Sequence, residues 1–70
     1  MSAFGRRVQE CRIERGFTQE SLALASGLDR TYIGGIERGE RNLSLLKFHR
    51  LAETLNVSAG ELLRRREDVG

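Results

Sequence analysis

The feature that most constrains this chain is a three-part signal that occurs four times. An apolar residue precedes a helix-capping residue, and a second apolar residue follows the cap by four positions. The signal appears at Phe17-Thr18…Leu22, Leu28-Asp29…Ile33, Leu43-Ser44…Phe48 and Val57-Ser58…Leu62. In such a start the cap oxygen accepts an otherwise unpaired backbone N–H, and the two apolar residues pack across the first turn as a hydrophobic staple. Glu61 adds a Ser-x-x-Glu capping box to the last start. Gly16, Gly27, Gly39 and Asn56 stand where a left-handed residue closes a helix. One staple could arise by chance, but four in register with four end signals specify helices.

The rest of the pattern agrees. Proline is absent from all 70 residues, so nothing forces a break inside a periodic segment. Ahead of the first staple, Phe4, Val8, Cys11 and Arg15 recur at three- to four-residue steps, predicting a helix stopped by Gly16. The expected fold class is all-α, with five helices near residues 4–15, 19–26, 30–38, 45–55 and 59–65 in a single domain, 1–70. Helix 4 is expected to turn Leu45, Phe48, Leu51, Ala52 and Leu55 inward. Leu62 and Leu63 are the large apolar residues of helix 5, and the charged tail from Arg64 to Gly70 is expected to fray.

The centre of the chain is Gln19 to Arg38, QESLALASGLDRTYIGGIER. Two short helices meet there at Gly27, and Leu22, Ala23, Leu28, Ile33 and Ile36 supply a small core where they cross. Arg30, Thr31, Gly34, Gly35 and Arg38 are left on the outer side of the second helix by their spacing. A short helix with a polar, basic outer face is what a DNA major groove admits. The residues therefore read as a helix-turn-helix.

Composition narrows the alternatives. A chain of this size buries only about 60% of its unfolded surface, so a partner subunit would add stability. No apolar run approaches the roughly 18 residues of a membrane span, and MSAFGRR lacks the apolar core of a signal peptide. One cysteine and one histidine give no basis for a disulfide or structural metal, and no cofactor is expected. No nucleophile–base pair, carboxylate dyad or phosphate-cradling glycine loop is visible, so an enzyme is not expected. The net charge is only +2, yet eleven of the twelve Lys and Arg residues are Arg, the side chain that pairs bidentately with phosphates and guanine edges. Cytoplasmic location is the expectation.

The order Arg15-Gly16-Phe17-Thr18-Gln19-Glu20, Ser26-Gly27-Leu28, Tyr32-Ile33 and Ile36-Glu37-Arg38-Gly39 resembles the Cro/cI-type (XRE-like) helix-turn-helix regulators, whose fold is the lambda-repressor-like bundle. The similarity runs from about Phe4 to Leu63. Around Asp29-Arg30-Thr31-Tyr32-Ile33 it is slightly greatest to the controller proteins of restriction-modification systems. Leu43 departs from the family, which often carries proline there. The resemblance implies a homodimer that binds double-stranded DNA on an inverted repeat through helix 3. The alternative it leaves open is a protein-interaction module, such as an antitoxin or adaptor, with secondary DNA binding.

The resemblance also assigns residues. Arg30 and Thr31 fall at base-reading positions, with Gly34 and Gly35 further along the same helix, where the family usually carries longer polar side chains. Two interior glycines cost a helix about 1 kcal/mol each relative to Ala, which close approach to bases or backbone would offset. Gln19, Arg38, Arg41 and Asn42 fall at phosphate positions. Tyr32 either offers its hydroxyl to a phosphate or packs. Arg12 and Glu37 match a structural ion pair. Leu62 and Leu63, with the edge of helix 4, form either a dimer face or core. Lys47 and Arg50 read as solvated, Cys11 as core, and His49 as a surface or boundary residue. No small-molecule ligand is evident.

Overall fold

The computed structural model describes residues 2–64. The helices are α1 (Ala3–Glu14), α2 (Gln19–Ser26), α3 (Arg30–Arg38), α4 (Leu45–Leu55) and α5 (Ala59–Leu63), and no strand occurs among the described residues. None of these helices is long and apolar enough to cross a membrane. The five-helix, all-α expectation holds, with small shifts at three ends. Ser2, not singled out in the sequence, caps α1 by accepting the Gly5 N–H at 2.9 Å, and Arg15 is an exposed C-cap instead of part of an apolar stripe. Helix α5 ends at Leu63, because Arg64 is extended; the expected helical Arg65 and the tail beyond it lie outside the described residues.

All four staple caps accept a first-turn N–H: Thr18 from Ser21, Asp29 from Thr31, Ser44 from Lys47 and Ser58 from Glu61. The reciprocal box forms at α2, where Ser21 Oγ accepts the Thr18 N–H at 2.9 Å, instead of at α5 where it was expected. Each of the four end residues is left-handed, with φ of 80° at Gly16, 76° at Gly27, 77° at Gly39 and 57° at Asn56. The residue after each one donates back to the helical carbonyl five positions before it: Phe17 to Arg12, Leu28 to Ala23, Glu40 to Gly35 and Val57 to Ala52. That bond defines the Schellman closure. At three of the joints the donating residue is apolar (Phe17, Leu28, Val57) and also begins the next staple, so one side chain closes one helix and sets the entry angle of the next. The joint between α3 and α4 differs. Its closing residue is Glu40, and Arg41 and Asn42 follow before the staple residue Leu43.

Val8, Cys11, Leu22, Ala23, Ile33, Ile36, Leu51, Ala52, Leu55 and Leu62 form the buried core. Phe4, Phe17, Leu28, Tyr32, Leu43, Phe48 and Val57 pack around it, partly buried. Burial pushes the Cys11 thiol pKa up, against a smaller opposing effect of Arg7, so the group is a core thiol with little thiolate character. Two placements correct the expectations. Leu45 is 73% exposed, because it lies in the first turn of α4, ahead of the stripe that begins at Phe48. Leu62 is fully buried under α1 and α4 and offers no surface to a second subunit.

Two contacts hold α1 against α3. At Gly5 the helices approach so closely that a Cβ would fall on the backbone carbonyl of Glu37 and within 2.6 Å of the Ile36 carbonyl oxygen. The second is a buried ion pair. Arg12 Nε donates to Glu37 Oε2 at 2.7 Å, Arg12 Nη2 donates to Oε1 at 3.2 Å, and Arg12 Nη1 donates to the Phe17 carbonyl at 3.0 Å. Gln19 Nε2 adds a donor to Glu37 Oε1 at 3.1 Å. Glu37 is 2% exposed, and this set of donors is what makes burying its carboxylate tolerable. One cluster thus joins α1, the Gly16 turn, the start of α2 and the end of α3.

Gly5→Ala is expected to destabilise the protein by about 1–3 kcal/mol despite alanine's better helix propensity, since the obstacle is backbone that cannot swing away. A thermal melt would show this as a loss of about 4–8 °C per kcal/mol. Arg12→Met leaves a buried carboxylate without its cation and should cost roughly 3–5 kcal/mol. Adding Glu37→Leu to Arg12→Met is expected to recover part of that loss in urea titrations; a double variant less stable than the single one would count against this account.

Candidate nucleic-acid interface

The turn between α2 and α3 is three residues long, Gly27 to Asp29. Gly27 can hold its φ of 76° because it lacks a Cβ. Asp29 Oδ1 then accepts the Thr31 N–H at 2.7 Å, which fixes where α3 begins. Ile33 and Ile36 anchor the inner side of α3 in the core, so its outer side points away from the body of the protein.

Arg30 and Thr31 stand exposed at the N-terminal end of that helix. A shallow concavity of about 350 Å³, lined by Arg12, Phe17, Thr18, Gln19, Glu20 and Arg30, brings the first turn of α2 beside the first turn of α3. A helix start presents free N–H groups and positive dipole, so this concavity suits an anionic oxygen. Gln19 lies there with one amide hydrogen committed to Glu37, and its amide carries a second donor.

Gly34 and Gly35 are not placed as expected. Both are buried, and the structure corrects the view that they stand open for base contact. A Cβ at Gly34 would meet Arg38 Nη1 at 3.1 Å and Gln19 Oε1 at 3.6 Å; one at Gly35 would run into the stem of Arg41. The outer face of α3 is therefore surfaced at its middle by side chains from its own end, from α2 and from the following loop. Arg38 is exposed, with its Nε 3.0 Å from Glu40 Oε1.

Of the two roles expected for Tyr32, the structure shows packing. Its hydroxyl donates to the Asn42 carbonyl at 2.6 Å, so in this arrangement its single proton is used within the protein. Its role here is to tie the α3–α4 loop to α3. Asn42 and Arg41 are exposed in that loop. The sequence reading gave Lys47 and Arg50 no contact with this region. Lys47 Nζ sits 4.3 Å from the centroid of the Tyr32 ring, a cation–π distance. Arg50 Nη1 lies 3.6 Å from the Cβ position at Gly27, beside the turn itself. Both come from α4, and only the folded packing of α4 against α2 and α3 brings them here.

A second surface lies away from the turn. Phe4, Leu43, Leu45, Phe48 and Leu63 line an apolar groove of about 480 Å³. The rings of Phe4 and Phe48 are 6.1 Å apart, and Leu45, Leu46 and Leu63 are exposed by 73%, 65% and 57%. Of the two leucines assigned to a dimer face from sequence, Leu63 is on this surface and Leu62 is beneath it.

This arrangement recurs in known proteins. A family model described as Helix-turn-helix matches residues 8–62. Control protein C.SmaI of Serratia marcescens is 48% identical over 58 residues, which cover 83% of this chain and 69% of that protein. The crystal structure of the restriction-modification controller protein C.AhdI from Aeromonas hydrophila superposes with a TM-score of 0.85 at 49% identity, over 87% of this chain and 92% of that one. The biofilm master regulator SinR, solved in complex with DNA, superposes with a TM-score of 0.82 at 31% identity, over 87% of this chain and 98% of that one. With the match running from the middle of α1 into α5, the chain belongs to the XRE-like helix-turn-helix family.

Proposed function

We propose that this protein is a transcriptional regulator that binds double-stranded DNA in a sequence-specific way, placing α3 in the major groove. The observation that carries the reading is the exposure of Arg30 and Thr31 at the start of a helix whose inner side is anchored in the core and whose far end is clamped through Glu37. Arg30 takes guanine O6 and N7 bidentately, and Thr31 offers its methyl to thymine. Gln19, Arg38, Arg41 and Asn42 act on phosphates, with Lys47 and Arg50 adding positive charge beside the turn; such contacts set register and orientation without reading sequence. Family membership, the controller proteins among its relatives and the DNA complex of SinR support this reading.

The protein works as a homodimer on an inverted repeat, because one short recognition helix covers too few base pairs for a selective site. The groove lined by Phe4, Leu43, Leu45, Phe48 and Leu63 is the face through which two copies meet. It is apolar and contains two strongly exposed leucines, Leu45 and Leu63, which is surface that a partner subunit removes from water.

Selection of duplexes from a randomised pool at near-physiological salt is expected to return an inverted repeat with half-site centres about one helical turn apart. Recovery of duplexes with no shared sequence would sink the reading. Arg30→Ala should weaken binding to the selected site by about 1–3 kcal/mol per half-site and relax the preference at one base pair, with an unchanged melting temperature. Leu45→Glu alters a residue outside the core, so the fold should persist. Light scattering should then show a monomer at concentrations where the parent protein is dimeric, with a parallel loss of affinity for the selected duplex.

A further inference from the structure

The α3–α4 joint is the one that departs from the regular pattern, and it runs directly over Gly35. The Gly39 N–H donates to the Ile36 carbonyl at 3.0 Å and the Glu40 N–H to the Gly35 carbonyl at 2.8 Å, so the chain reverses tightly at the end of α3. The Tyr32 hydroxyl holds the returning strand at Asn42. Between these two fixed points stands Arg41, whose side chain comes back across α3. The place a Gly35 Cβ would occupy lies against Arg41 Cγ, 3.3 Å from its Nε and 3.4 Å from its Cδ. Any side chain at position 35 would collide with the stem of Arg41, and that collision cannot be relieved by moving the guanidinium end alone.

We infer that Gly35 is a positioning residue: by lacking a Cβ it seats Arg41 flat across the outer face of α3 and so delivers the guanidinium to the DNA backbone beside the recognition helix. This rests on the DNA-binding reading and adds to it a reason for a glycine that local helix propensity disfavours. Thr31, Gly35 and Arg38 share one face of α3 by their spacing. The loop therefore places a cation over the position where that face has no side chain of its own. An arginine free in solution loses much rotamer freedom on meeting a phosphate. One already laid along the helix has less to lose.

The test combines a double-variant cycle with a measurement that needs no DNA. In NMR the Arg41 Nε–Hε group of the parent protein should show a high heteronuclear NOE, and in Gly35→Ala it should fall to the value of a freely moving exposed arginine. With the selected duplex, Gly35→Ala and Arg41→Ala should each lower the slope of log affinity against log salt by about 0.9 per subunit, the amount expected for one lost phosphate contact. Gly35→Ala added to Arg41→Ala should change neither slope nor affinity further, and the melting temperature of Gly35→Ala should be no lower than the parent's. A Gly35→Ala protein that keeps the parent's NOE and salt slope overturns the seat. An equal loss of affinity from Gly35→Ala with and without Arg41 also overturns it, showing that the glycine itself meets DNA. A parent protein that selects no duplex defeats the DNA-binding reading, while the NOE still reports whether the seat exists.

Discussion

The structure depends on one buried charge. Glu37 is the last inward-facing residue of α3 before its cap, and its carboxylate is almost wholly removed from water. A carboxylate in that position is tolerable only if donors surround it. Here they come from two places, the guanidinium of Arg12 on α1 and the amide of Gln19 at the start of α2, and the same guanidinium also donates to the carbonyl of Phe17 at the turn between them. Each donor belongs to an element that must be correctly placed for the pair to close. The value of the pair lies less in net stability, since an apolar replacement of both partners can be equally stable, than in orientation. It sets α3 relative to α1 and α2 at the end opposite its cap.

That constraint has a consequence for the functional surface. Gln19 is both a donor to Glu37 and a resident of the concavity beside Arg30. The group expected at a phosphate is thus mechanically linked to the group that orients the recognition helix. Gly5 reinforces the arrangement from the other side, bringing α1 against the carbonyls of Ile36 and Glu37 closely enough to exclude even a methyl group. The N-terminal end of α3 is held by its Asp29 cap, the core contact of Ile33 and the Tyr32 hydroxyl bond to Asn42, and there the exposed Arg30 and Thr31 are displayed. Held at both ends, the helix presents side chains without having to order itself on binding.

How much was legible in the residues varies with the range of the interaction. Caps, left-handed closures and staples involve groups a few positions apart, so Thr18, Asp29, Ser44, Ser58, Gly27 and Asn56 could be read directly. Arg12 and Glu37 are 25 positions apart and were paired only through resemblance; periodicity alone offers no reason to connect them. The role of Gly5 was not read at all, because a glycine inside a helix carries no signal of what approaches it. Gly34 and Gly35 were expected to lie open, since helical spacing assigns a residue to a face but not what other side chains lie across that face. Leu45 was expected inward and is exposed, and Leu62, left open between dimer face and core, is buried, for a similar reason. Periodicity identifies both as apolar, but the packing of α5 beneath α1 and α4 decides which one is covered.

What the sequence by itself determined is the set of helices, the joints between them and the exposed start of α3, because these follow from local hydrogen bonding and from apolar residues spaced within one or two turns. The tertiary structure alone decided that α1 meets α3 at Gly5, that Lys47 and Arg50 reach Tyr32 and the Gly27 turn, that Arg41 lies across Gly35, and that Leu45 and Leu63 share an open apolar groove with Phe4 and Phe48. These contacts join residues far apart in the chain. Their geometry depends on how several helices share one small core, and no local pattern encodes that division of space.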